Sequence, residues 1–168
     1  DVTCEDCVSS AIDLVGSLRT IVNRVSANSS LNGLVSSGSN GTVISDSRFS
    51  NNTLGNGVSF AGTSLNGVVK GCISDINLNG FSISASSQVE FFNCTAESNI
   101  ARGFSFSSTA LALIENCVAE YNGSDGFDMQ TASDVMVKNC TATHNTGFGF
   151  NNLVASNQFY SNFSCDNT

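Results

Sequence analysis

The chain has 168 residues, enough for one domain with a real interior, and carries a net charge of −8 with only six Lys and Arg. That balance argues against a nucleic-acid backbone as partner, and no apolar run reaches the roughly 20 residues that membrane insertion by a helix needs. Ser, Thr, Asn and Gly are abundant and proline and tryptophan absent, a composition of turns rather than helices. With neither an initiator Met nor a signal-like start at Asp1, the sequence reads as a processed protein or an excised domain.

Residues 1–17 allow a degenerate first coil or a cap. Val8, Ile12, Val15, Leu18, Val22 and Val25 fit a helical stripe. Alternatively, Ala11-Ile12-Asp13-Leu14 matches a G-F-x-F unit that recurs downstream, and Cys4 then falls on a column of cysteines. From residue 18 to 150 the chain is regular. Asn93-Cys94-Thr95-Ala96-Glu97-Ser98-Asn99, followed by Gly103-Phe104-Ser105-Phe106, recurs around Cys72, Cys117 and Cys140, with a weaker copy from Asp46 to Phe60. The four cysteines are 22, 23 and 23 residues apart, and self-similarity at a fixed period marks a solenoid. Within each copy apolar residues alternate, as in Val135-Met136-Val137, which signals strand. Three short strands per coil give an all-β, right-handed single-stranded parallel β-helix of about seven coils, each about 4.8 Å from the next. Residues 151–168 form an irregular C-terminal coil or cap, so 1–168 is one β-helix domain.

Stacking the copies predicts the interior. Cys72, Cys94, Cys117 and Cys140 continue Ser47, as small apolar fillers. Phe49, Ser74, Ala96, Ala119 and Ala142 form the next column, which Cys165 is expected to join after a register slip that sets Asn162-Phe163 over Asn139-Cys140. Val58, Phe81, Phe104, Phe127 and Phe148 form a third, Phe60, Ile83, Phe106, Met129 and Phe150 a fourth, and Ile44, Val69, Phe91, Ile114 and Val137 a fifth. Asn28, Asn52, Asn77, Asn99, Asn122 and Asn145 fall where the chain must turn, and we read them as an asparagine ladder. Glycosylation is the competing reading, but sequons such as Asn122-Gly123-Ser124 are about as frequent as chance gives in so Asn- and Ser-rich a chain.

Chemistry concentrates in a few outward columns. Asp75, Glu97 and Glu120 stack on successive coils, at a spacing of about 5 Å that suits a retaining glycosidase pair, so these three with His144 are the catalytic candidates. The same carboxylates could take Ca²⁺; no other cofactor is called for. Tyr121 and His144 stack one place further along, and an aromatic beside carboxylates suits a sugar ring, so Asp75, Glu97, Glu120, Tyr121 and His144 are the binding candidates. The plainer reading is a solvated acidic stripe. Val43, Val68, Leu113 and Met136, interrupted by Glu90, form an outward apolar stripe. Such a stripe is covered by a terminal segment of the chain itself or marks a partner interface, including a homo-oligomer such as a trimer. Glu115 and Lys138 are placed to pair. Cys4-Glu5-Asp6-Cys7 lacks the further ligands of a zinc site and reads as a local disulfide. Thr95, Thr141 and Thr143 are too sparse for an ice-binding face.

These repeats resemble the parallel β-helix repeats of the pectin lyase-like superfamily. The N-C-x-A-x-x-N…G-F form looks most like short repeats in surface proteins of amoeba-associated bacteria and large amoebal viruses. The resemblance covers about residues 18–165 and implies the fold and a surface-exposed or extracellular setting. It implies no one activity, because the superfamily includes lyases, hydrolases, epimerases, adhesins and tailspikes. The polygalacturonase-like Asn-Thr-Asp, Asp-Asp and Gly-His-Gly motifs are absent, as is the paired-Asp calcium site with an Arg base of the pectate lyases. The expected function is therefore a non-enzymatic surface module that displays a face for a glycan or another protein surface. A carbohydrate-active enzyme using the stacked carboxylates is the alternative.

Overall fold

The computed structural model describes residues 2–108 and 111–168. Three short strands recur in every coil. In the coil that starts at Glu90 they are Glu90–Phe92 in sheet 1, Thr95–Glu97 in sheet 2 and Phe104–Ser107 in sheet 3. Each pairs in parallel with its counterparts in the coils before and after. Sheets 1, 2 and 3 hold seven, eight and seven strands. The described residues contain no helix, so the chain is an all-β parallel solenoid of about seven coils.

The corners explain the Asn of the N-C pair. Between sheets 1 and 2, Arg24, Asp46, Gly71, Asn93, Asn116, Asn139 and Ser161 all adopt φ between 51° and 59°. Asn and Asp tolerate this left-handed conformation better than other side chains, and Gly adopts it freely. The Gly before each Phe has a different cause. A Cβ on Gly103 would lie 2.7 Å from the Gly126 carbonyl oxygen and 2.9 Å from Asn122 Nδ2, so only glycine lets adjacent coils approach.

Inside, the aromatic column is close-packed. Phe81, Phe104, Phe127 and Phe150 stack with centroids 4.9, 4.7 and 4.9 Å apart and ring planes within 18°. Phe91 of sheet 1 meets Phe81 and Phe104 edge-on at 5.4 and 5.8 Å. Burying each ring stabilises by very roughly 1.5–3 kcal/mol, with more from the ring contacts.

Asn52, Asn77, Asn99, Asn122 and Asn145 form a buried ladder that runs on to Asn167. Asn122 Oδ1 accepts from the backbone N–H of Asn99 at 3.1 Å and from its Nδ2 at 2.9 Å. Asn122 Nδ2 donates to Ala96 O at 3.1 Å and to Asn145 Oδ1 at 2.8 Å. The carboxamide thus satisfies turn backbone that no strand reaches. A second, partly buried ladder starts sheet 3: Asn32 Oδ1 accepts from Asn56 N at 2.9 Å, and Asn56 Oδ1 from Asn79 Nδ2 at 2.9 Å. The repeated Asn-Gly at positions 32, 56 and 79 was its sequence signal.

The four stacked cysteines are buried, and each thiol donates to the carbonyl two residues earlier, as Cys94 does to Phe92 O at 3.3 Å. Ser47 does the same to Ser45 O, which explains why it can replace cysteine. Cys72, bonded to the Cys94 thiol and buried, and Cys117, buried and bonded to Cys140, are pushed well above the ordinary thiol range. Because all four side chains are buried, native-state labelling with N-ethylmaleimide is expected to modify none of them, while urea exposes them all. Mass spectrometry of the adducts checks this, and native adducts on Cys94 or Cys117 would contradict the packing.

Several register expectations need correction. Asn28 is not on the ladder: Ser30 N donates to Asn52 Oδ1, and Asn28 pairs with Ser50 in the outward column of Asp75. Cys4 pairs with Ala27 and so lies on the alanine column, not the cysteine column. Cys165 pairs with Thr143, leaving Ser164 over Ala142, and Asn162 rather than Phe163 lies over Cys140. Phe148 is 64% exposed, and Phe150 takes its place over Phe127 rather than over Met129. Only Gly149 fits the gap beside Ala142 and Asn167, which forces that choice. The helical stripe is overturned as well: Ser10–Val15 is a strand, and Val8, Val15 and Leu18 are exposed.

Candidate functional site

Sheet 2 aligns Asp75, Glu97 and Glu120 in register, followed by Thr143. The three carboxylates are not equivalent. Asp75 is only 5% exposed, and its Oδ2 accepts from Arg48 at 2.8 Å and from Ser50 Oγ at 3.0 Å. Asp75 Oδ1 is buried without a hydrogen-bond partner. Arg48, one coil earlier, escaped the sequence reading because nothing in the repeat marks it. It neutralises Asp75 and leaves Glu97 and Glu120 as the half-buried carboxylates of the column.

The next position on every coil is a left-handed corner, with φ of 56° at Ile76, 54° at Ser98 and 55° at both Tyr121 and His144. Bulky residues rarely adopt this conformation alone, but here the hydrogen bonds of the neighbouring coils impose it. Tyr121 and His144 stack with centroids 4.8 Å apart and planes 16° apart. His144 Nε2 lies 3.7 Å from Asp166 Oδ2. One ring face of Tyr121 is therefore covered by His144, and the other turns toward the small Ser98. Beyond Ser98 stands Ile76, 46% exposed. The result is an open slot with Tyr121 and Ile76 as walls about 9–10 Å apart, two strand spacings. Ser98 is its floor, and Glu97 and Glu120 stand alongside. Ile76 and Ser98 were not among the sequence candidates; the αL corner that aligns them shows only in the backbone.

On sheet 1, Val43, Val68, Glu90, Leu113 and Met136 share one outward column, joined at the first coil by Ile21. No terminal segment covers it among the described residues: Met136 is 37% and Ile21 74% exposed. Lys138 Nζ lies 2.8 Å from Glu115 Oε1, a half-exposed pair that contributes at most about 1 kcal/mol. At the first coil the Cys4 and Cys7 sulfurs, as free thiols, lie 2.8 Å apart. Among the described residues no three of His, Cys, Asp and Glu converge as a metal-binding group, and no helix is long and apolar enough to cross a membrane.

Comparison with known proteins agrees with this architecture. The chain is similar in structure to pectate lyase Pel9A, with a TM-score of 0.80 at 16% identity over 95% of this chain and 52% of that one. It is also similar to ORF18 of Geobacillus virus E2 (TM-score 0.63, 12% identity, 98% of this chain and 36% of that one) and to the periplasmic alginate epimerase AlgG (0.58, 17%, 99% and 47%). The chain thus spans about half the length of these proteins or less, and at such identities the likeness concerns the fold. No curated protein matches it in sequence. The family described as "Right handed beta helix region" matches residues 1–112, two thirds of the chain, and the chain belongs to the right-handed β-helix family.

Proposed function

We propose that the chain is a non-enzymatic β-helical module that displays a glycan-binding face at a cell or virion surface. The observation that carries this reading is the Ser98 slot. A pyranose ring seated there stacks one face on Tyr121 and the other on Ile76, while its hydroxyls donate to Glu97 and Glu120. Apolar walls with a few convergent polar groups are the usual make-up of a small-ligand site. Two unpaired carboxylates repel a polyuronate, so the slot favours neutral or amino sugars over the pectate and alginate named for the structural neighbours. The periplasmic and viral neighbours support a surface or secreted setting.

The alternative, a carbohydrate-active enzyme, draws on the register of Glu97 with Glu120, one strand spacing apart. The pairing of Asp75 with Arg48 weighs against it, because it ties up the third carboxylate. A glycan array with and without Ca²⁺ tests the proposal. Binding to neutral or amino sugars is expected, independent of Ca²⁺, and Tyr121→Ala is expected to weaken it at least about tenfold, the loss of about 1.4 kcal/mol. Binding that Tyr121→Ala leaves unchanged would place the ligand elsewhere.

A further inference from the structure

The face of sheet 1 carries three outward columns side by side down the rod: a corner, a stripe and, two residues beyond the stripe, Asn23, Ser45, Lys70, Phe92, Glu115 and Lys138. The stripe holds Ile21, Val43, Val68, Glu90, Leu113 and Met136. The corner before it holds Arg19, Gly41, Asn66, Gln88, Leu111 and Asp134. Around Glu90, Leu113 and Met136 the face is indented by an open groove of about 500 Å³, with Asp134 at its edge. At the first coil the same face stands proud, with Leu18 75% and Ile21 74% exposed. Arg19 at that ridge, and Glu90 and Asp134 at the groove, form no ion pair among the described residues. One face thus holds a ridge with a free cation and a groove with free carboxylates.

We infer that this face docks a second copy of the chain, with the two rods antiparallel about a two-fold axis that runs along the strands between the Val68 and Glu90 coils. Such an axis keeps each side chain's place along its strand and reverses the order of coils, so corner meets corner and stripe meets stripe. Arg19 then faces the second copy's Asp134, twice. Ile21 faces Met136 and Val43 faces Leu113. The exposed Leu111 faces Gly41, the one corner of this face without a side chain. Asn66 faces Gln88, amide to amide, and Lys70 faces the ring of Phe92. No like charges meet head-on; Val68 faces Glu90, and the two Glu90 side chains sit one strand spacing apart across the axis. Sliding the second copy by one coil sets Lys70 against Lys70 or Glu90 against Glu90, sliding it by two sets Lys70 against Lys138 or leaves only four coils in contact, and parallel rods joined stripe to stripe also oppose Glu90 to itself.

The charges and the ridge-and-groove relief therefore select one arrangement. Six coils about 4.8 Å apart and about five residues of about 3.3 Å give a footprint of about 29 by 16 Å, roughly 900 Å² over both copies. That lies at the low end for a specific interface, so the dimer is expected to be reversible and micromolar.

Sedimentation velocity over low-micromolar to sub-millimolar concentration tests the inference. A monomer–dimer equilibrium is expected. R19E and D134R are each expected to weaken it at least tenfold, although D134R lowers the net negative charge that opposes association. An equimolar mixture of R19E and D134R is expected to dimerise again, because both corner pairs then join opposite charges. Arginine already holds the left-handed corner conformation at Arg19 and Arg24, so D134R should fold, and circular dichroism checks this. L113D, on the outer face of a strand, supplies an independent loss. A monomer at every concentration, a trimer, or a dimer indifferent to both charge reversals would overturn the inference.

Discussion

Phe104→Ala is expected to lower the stability of the chain by about 3–5 kcal/mol. The ring of Phe104 lies between those of Phe81 at 4.9 Å and Phe127 at 4.7 Å, with Phe91 edge-on at 5.8 Å, and it is fully buried. Its removal opens a cavity that rigid coils above and below cannot close, since parallel strand pairing holds their separation. Urea unfolding followed by circular dichroism measures the loss. Ser105→Ala, on the same strand but facing outward, is the control and should change stability by less than about 0.5 kcal/mol. A loss below about 1.5 kcal/mol for Phe104→Ala would mean that the aromatic column is loosely packed.

The second large effect is expected from Asn122→Ala, at about 2–5 kcal/mol. The substitution removes no apolar contact of consequence. It leaves the buried Asn99 N–H without an acceptor and takes one partner each from Asn99 Nδ2 and Ala96 O. Each stranded buried group costs about 1–3 kcal/mol. For a chain of this size that corresponds to a fall in Tm of very roughly 5–15 °C, read by calorimetry. Asn51→Gly is the comparison: Asn51 is exposed one residue before the ladder at φ 57°, a conformation glycine keeps without strain, and its side chain donates to Ser29 Oγ. Equal losses at the two positions would refute a structural role for the ladder.

The architecture was legible because a β-helix writes its period into the sequence. Cys94, Asn99 and Phe104 each answer to a side chain one coil away, so recurrence identifies the interior directly. Single-residue slips were not legible where neighbours are chemically interchangeable. Asn28 and Ser30 both suit a polar turn, and only backbone pairing shows that Ser30 meets Asn52. Gly147-Phe148-Gly149-Phe150 offers two equally spelled units. The four-residue step from Asn99 to Gly103 and from Asn122 to Gly126, repeated from Asn145 to Gly149, was the signal that separates them. At the candidate site Tyr121, His144, Glu97 and Glu120 were found from the period. Ile76 and Ser98 were not, because a wall and a floor carry no chemistry until a corner aligns them. Arg48 was missed for the converse reason: it acts once, on Asp75, and the period records only what repeats.

The association inferred for sheet 1 and the slot on sheet 2 use different faces of the rod. An antiparallel pair would present two slots, and on a repeating glycan the second binding event would become intramolecular, so that avidity would exceed the affinity of a single slot. Weak individual sites suit such an arrangement.

The measurement that bears most directly on the functional reading is a product assay on whichever glycan the array identifies. The glycan is incubated with a stoichiometric amount of protein, and new reducing ends and unsaturated sugar are followed over a day. Binding with no product above the protein-free control is the predicted result. Product formation that Glu97→Gln or Glu120→Gln abolishes would contradict it and make the carboxylate column a catalytic centre.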